Sequence, residues 1–156
     1  MRILLHILLV FLSANLHAQD SKKIEIFNAD NTYANTNIHP DYWRLIGNVS
    51  FRHNNAIMTC DSAYHYTSKN KMKAFGKIKI NQGDSIIMTG ENLTYFGSKN
   101  KADIKGNVML IDKHMTLETE QVFYNLSNNV ASYPQEGTII DNKKTINSKR
   151  GAYYSN

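Results

Sequence analysis

An all-β fold of stacked two-strand antiparallel repeats is what this sequence predicts, and three patterns with one shared period predict it. Glycine recurs at Gly47, Gly76, Gly106 and Gly137, in steps of 29, 30 and 31 residues. Each glycine is followed by a short alternating run: Asn48-Val49-Ser50-Phe51, Lys77-Ile78-Lys79-Ile80, Asn107-Val108-Met109-Leu110, Thr138-Ile139. About half a period later come a charge, an aliphatic and a ring, each two residues apart: Asp61/Ala63/His65, Glu91/Leu93/Tyr95, Glu120/Val122/Tyr124 and Arg150/Ala152/Tyr154. A polar turn closes the unit at residues 67–70, 97–100 and 126–129. A period of this length means supersecondary units that bury their apolar faces only against one another.

From the N-terminus, Arg2 precedes the apolar run 3–12, and Leu16-His17-Ala18 ends in a small residue before Gln19. This is the pattern of a secretory signal peptide over residues 1–18, cleaved after Ala18; no cysteine near that bond marks a lipoprotein. The 138 residues of 19–156 suit one small domain. Arg2 is the only charge in the leader, so the net charge falls from +5 to +4. A mild basic excess favours anionic partners at long range, although lysines along strands also discourage edge-to-edge aggregation.

The stretch Ile24-Glu25-Ile26-Phe27 reads as the back half of an incomplete repeat, and residues 31–41, closed by His39-Pro40, as a longer loop. In each full repeat the first strand is predicted to start at the glycine. The second runs through the charge–aliphatic–ring pattern, as in residues 85–95. Strict alternation, with Val49/Phe51, Ile78/Ile80 and Val108/Leu110 on one side, marks strands with one buried face. Turns as short as 81–84 and 112–114 force antiparallel pairing. The fourth repeat reaches Asn156 without a polar cap. That predicts either an open edge for strand addition or a chain continuing further.

The chemistry-bearing residues form no catalytic constellation. The lone Cys60 excludes an internal disulfide and reads as a half-buried strand cysteine. His39, His53, His65 and His114 fall at unrelated repeat positions without metal-site spacing. The acids Asp61, Glu91 and Glu120 form a column that a cation could bridge, but solvated strand ends explain them more simply. No phosphate loop or nucleophile elbow is present. Scattered basic residues in an exported chain argue against nucleic acid as a partner. No cofactor is expected. What remains is the interior: either filled by its own side chains, or held open as an apolar trough for fatty chains. Small residues such as Ala63 and Ala152 favour room inside.

The phrases Leu45-Ile46-Gly47-Asn48-Val49-Ser50-Phe51-Arg52-His53, Met58-Thr59-Cys60-Asp61-Ser62-Ala63-Tyr64, Ala74-Phe75-Gly76-Lys77-Ile78-Lys79-Ile80 and Lys105-Gly106-Asn107-Val108-Met109-Leu110, in repeat order over residues 24–154, resemble the OstA-like, LptA-type family. The wording is closest to OstA-like proteins of Bacteroidetes-type bacteria, and relatives of this type are often longer. The resemblance implies a semi-closed β-jellyroll over residues 19–156 and no catalytic residues. It also implies carriage of lipopolysaccharide through the periplasm to the outer membrane. The inward positions that would hold the lipid A acyl chains are Val49, Phe51, Ile78, Ile80, Val108 and Leu110, with Ile57, Ala63, Leu93 and Val122 on the second strands. Partners would be other jellyroll-type transport components, or copies of the chain, joined through edge strands. Two alternatives stand beside it: a structural or adhesive exported β-solenoid with a filled core, and an envelope enzyme using the acidic column.

Overall fold

The computed structural model describes residues 22–35, 37, 41–141 and 144–155. The predicted leader and the His39-Pro40 pair lie outside them. The strands are β1 (Glu25–Asn28), β2 (Asn31–Tyr33), β3 (Trp43–His53), β4 (Ala56–Tyr66), β5 (Lys71–Gln82), β6 (Ile86–Phe96), β7 (Lys101–Ile111), β8 (Met115–Asn125), β9 (Val130–Tyr133), β10 (Gly137–Asp141), β11 (Thr145–Ser148) and β12 (Gly151–Tyr154). They form one 12-stranded sheet. From β3 to β8 every strand pairs antiparallel with the next in sequence. Helix among the described residues is confined to the 3-10 turns Thr67–Lys69 and Gly97–Lys99.

Of the four glycines predicted to start strands, Gly137 does so, as the first residue of β10, whereas Gly47, Gly76 and Gly106 sit in the middle of β3, β5 and β7. In β3, β5 and β7 the register slips at Gly47-Asn48, Gly76-Lys77 and Gly106-Asn107, where two residues oppose the single acid Asp61, Glu91 or Glu120 of the following strand. These are β-bulges, which bend the strand and raise its twist. Both residues of each pair take positive φ, for example +73° at Gly76 and +46° at Lys77. A Cβ at Gly76 or Gly106 would run into the carboxylate of Asp61 or Glu91 on the preceding strand, and one at Gly47 into that of Asp30 in the bend between β1 and β2. Those carboxylates are held in place: Asn48 donates to Asp30 at 2.9 Å, Asn107 to Glu91 at 2.7 Å, and the Lys77 ammonium lies 3.6 Å from Asp61. The period of glycines and the period of acids are therefore one device.

The bulge also rules which residues face inward. On β4 the buried set runs Ala56, Met58, Cys60 and then Ala63, His65, so the alternation changes parity at Asp61. Equivalent flips follow at Glu91 in β6 and Glu120 in β8. On β5 and β7 the buried residues keep one parity through the glycine.

The outer repeats are broken versions of the same plan. β1 and β2 together pair with β3, and β2 lies in the stretch predicted as loop. The fourth repeat splits into β9 and β10 around Pro134, which cannot donate to a ladder. β11 and β12 return along them. That break shifts the last pattern. Gly151 and Tyr153 oppose Tyr133 and Ala131 of the core, while Ala152 is exposed and Tyr154 is 68% exposed. Ala152 therefore leaves no room inside, contrary to expectation. Among the described residues β1, β2, β11 and β12 each pair on one side only.

Gly76→Ala should lower stability by about 1–3 kcal/mol, because it strains φ and crowds Asp61. Lys77→Gly should be neutral or stabilising, since Lys77 already sits in the left-handed region. Urea midpoints check both, and a Gly76→Ala protein as stable as wild type would contradict the bulge's role.

Candidate functional site: an apolar interior closed by a polar seam

The buried faces of β3 to β9, together with Ile24, form one continuous cluster from Ile24 to Tyr133. Nine of the ten predicted inward residues lie in it: Val49, Phe51, Ala63, Ile78, Ile80, Leu93, Val108, Leu110 and Val122. The tenth, Ile57, does not. It stands on the outer face, 46% exposed, while Ala56 and Met58 on either side of it point in. Ile57 and Ala63 share a parity, and the flip at Asp61 prevents both from facing inward. That same flip is the signal that finds the residues missed in the sequence: Met58, Met88 and Leu117, each fully buried. Met72, Tyr95, Ile104 and Tyr124 are among the others that line it. Several of these are methionines, unbranched side chains that repack around irregular neighbours.

The two ends of the hairpins meet along one side of this interior. One row of turns joins β3 to β4, β5 to β6 and β7 to β8; the other joins β4 to β5, β6 to β7 and β8 to β9. Within the second row each turn leans on the next, as Gly97 N–H donates to the Asn70 carbonyl at 2.8 Å and Leu126 N–H to Asn100 at 2.9 Å. Asn70, Asn100 and Asn129 take left-handed φ there, a conformation asparagine tolerates.

Polar side chains bridge the rows. Asn54 donates to Asn100 at 2.8 Å, and Gln82 donates to Asn129 at 2.9 Å and to the Leu126 carbonyl at 3.0 Å. Asp112 accepts from Tyr153 at 2.5 Å and Ser155 at 3.2 Å. At the N-terminal end Asn70 accepts from Ile24 N–H and donates to the Lys22 carbonyl, both at 2.9 Å. His53 joins Tyr95 to the same edge. Its Nε2 lies 2.9 Å from the Lys22 carbonyl, which only accepts, so Nε2 carries the proton and Nδ1 accepts from the Tyr95 hydroxyl at 2.7 Å. The sheet is thus creased along its bulges and fastened along its turns, with apolar side chains between.

The remaining candidates fit this frame as structural parts. Cys60 is buried, and burial pushes its thiol up to about 12, which suits a packed side chain and not a thiolate nucleophile. Asp61 and Glu91 hold bulges, as described. No cluster of three or more His, Cys, Asp or Glu that could hold a metal occurs among the described residues. His65 differs from its column partners. It is buried beside Trp43, ring centroids 6.5 Å apart, and its Nδ1 has no partner.

The chain matches the OstA-like protein family over residues 21–156. Its fold is similar to that of LptH from Pseudomonas aeruginosa, described as the LptA-homologous periplasmic component of a lipopolysaccharide transport device. The TM-score is 0.60 and the identity 17%, over 70% of this chain and 80% of that one. No curated protein matches the chain.

Burial holds the His65 imidazole below its ordinary value of 6.5. Unfolding frees the ring to take up a proton first, so its contribution is present above about pH 6.5 and is lost as the pH falls toward the folded value. Asp112 and Glu25, also shifted down, act only in the carboxylate range. Denaturant midpoints should therefore decline below about pH 6.5 in wild type and stay flatter down to about pH 5 in His65→Phe. Parallel curves would contradict this.

Proposed function

The chain belongs to the OstA-like protein family, and from that premise we propose that it is a periplasmic carrier in lipopolysaccharide transport, holding the lipid's acyl chains in its apolar trough. The observation that carries the reading is an apolar interior shared by successive repeats and lined by adaptable side chains, with strands paired on one side only at both sheet edges among the described residues. The description of LptH, which shares the fold, supports the same assignment.

The energetics favour it. Burying one CH₂ contributes about 0.8 kcal/mol, so a dozen carbons gain on the order of 10 kcal/mol before ordering costs. Entry requires parting the rows of turns, whose bridging bonds are each worth about 1 kcal/mol. Parting the seam alone is therefore a small cost; the guest must also take the place of packed side chains such as Met58, Met88 and Leu117. The edges β1/β2 and β11/β12 would add to other jellyroll-type components or to copies of the chain by strand addition. Export through the leader, residues 1–18, would deliver domain 19–156 to the periplasm, beside the outer membrane. The driving force would come from elsewhere.

A second reading, an exported β-solenoid with a filled core and a structural or adhesive role, is favoured by one observation: the apolar interior side chains pack at 0–6% exposure from Leu45 to Leu117. The two readings part on one experiment. A photo-crosslinking residue in place of Ile80 or Leu110 should trap lipopolysaccharide, whereas the same group in place of the outward Lys79 should not. Labelling from Lys79 alone would leave the filled solenoid standing.

A further inference from the structure

The two rims of the seam differ in charge and in ring content. The rim formed by the turns 67–70 and 97–100 carries Lys69 and Lys99, and the first residues of the strands leaving it are Lys71 and Lys101. On the outer face just behind it, Tyr66, Lys71, Phe96 and Lys101 lie side by side across β4 to β7. The Lys71 ammonium sits 5.0 Å from the Phe96 ring and 5.7 Å from the Tyr66 ring. The opposite rim carries Asp84 and Asp112, with Lys113 and His114.

The ion pairs among the described residues are Arg52–Glu25, Lys77–Asp61 and Lys105–Asp103. None of them uses Lys69, Lys71, Lys73, Lys99 or Lys101, so this rim concentrates cations outside those ion pairs. Lys71 registers that crowding: its ammonium is held below the usual lysine range by burial and by the charges of Lys73 and Lys69. Beside the rim lies a depression of about 500 Å³, lined by Phe96, Phe123, Lys99 and Lys101 among others. Its one acid, Asp103, is engaged with Gln121 at 2.7 Å and Lys105 at 3.7 Å.

We propose that this basic, ring-lined rim binds the phosphorylated sugar head of the lipid whose chains occupy the trough. The depression seats a sugar ring against Phe96 and Phe123, and Lys99 and Lys101 neutralise a phosphate. The placement is what a single amphiphile requires. Asn100, which bridges the seam to Asn54, lies between Lys99 and Lys101 in sequence, so a lipid passing between the rows has its tails on one side of this rim and its head on the other. A concave site with ring faces and point cations suits a sugar phosphate.

The inference rests on the trough reading above, and its test separates the two. Binding of lipid A and of enzymatically dephosphorylated lipid A is measured for the wild-type chain, K99A/K101A and the opposite-rim control K113A, at low and high salt. K99A/K101A should bind phosphorylated lipid about tenfold more weakly and the dephosphorylated form unchanged, high salt should reproduce that loss in wild type, and K113A should match wild type. Equal losses for both lipids, no loss, or the same loss in K113A would overturn the proposal. So would displacement of the lipid by inorganic phosphate at matched ionic strength, which would reduce the rim to a general anion site. Wild type binding both lipids equally would overturn the rim alone; wild type binding neither, nor a fluorescent fatty acid, would overturn the trough reading with it.

Discussion

Everything in this fold hangs on the bulge where a glycine pair in one strand is crossed by a carboxylate from the strand before. A flat sheet of strands this long would leave one apolar face in water. The extra residue at Gly47, Gly76 and Gly106 creases the sheet along a line, and Asp30, Asp61 and Glu91 fill the space a Cβ would have taken. Glycine supplies the left-handed φ that other residues adopt at a cost of about 1–2 kcal/mol. Asn48 and Asn107, which follow it, tolerate that region, and Lys77 accepts the strain with an ion pair to Asp61 at 3.6 Å. The crease brings the two rows of turns together and so creates both the interior and the seam.

A crease that is covalent and a seam that is only hydrogen-bonded make an asymmetric container. The bonds that close it, Asn54 to Asn100 and Gln82 to Asn129 among them, are individually weak in net terms because water replaces them on opening. Behind those bonds the interior is filled by packing, with Phe51, Met58, Met88 and Leu117 fully buried. Nothing covalent need break for an apolar guest to exchange places with those side chains, and methionine repacks readily. On the proposed carrier reading, with its head-group rim, the tails would lie inside the crease and the polar end outside the seam.

Much of this was legible in the sequence, and the misses share a cause. The period, the two-strand repeat, the antiparallel order and most of the inward residues follow from alternation and turn chemistry, which are local. The assignment of Ile57 failed because alternation assumes an unbroken pleat. One bulge reverses it, and only pairing data tell which strand of a pair carries the extra residue. Glycine was read as a strand start for the same reason, since a breaker and a bulge look alike in one dimension. The role of Asp61 and Glu91 escaped because it lies between strands. The seam was invisible altogether: Asn54 and Asn100 are 46 residues apart, one and a half repeats, and meet only because the sheet is creased.

The central claim is that the interior opens along the seam to admit a guest. It is tested most directly by bridging the rows, with Asn54→Cys and Asn100→Cys joined by a short bis-maleimide and compared with the same protein capped by a monofunctional maleimide. The account predicts that the bridged protein keeps its fold and loses lipopolysaccharide binding, while the capped protein binds. Equal binding by both would mean that no lipid passes through the seam, and the account would fail.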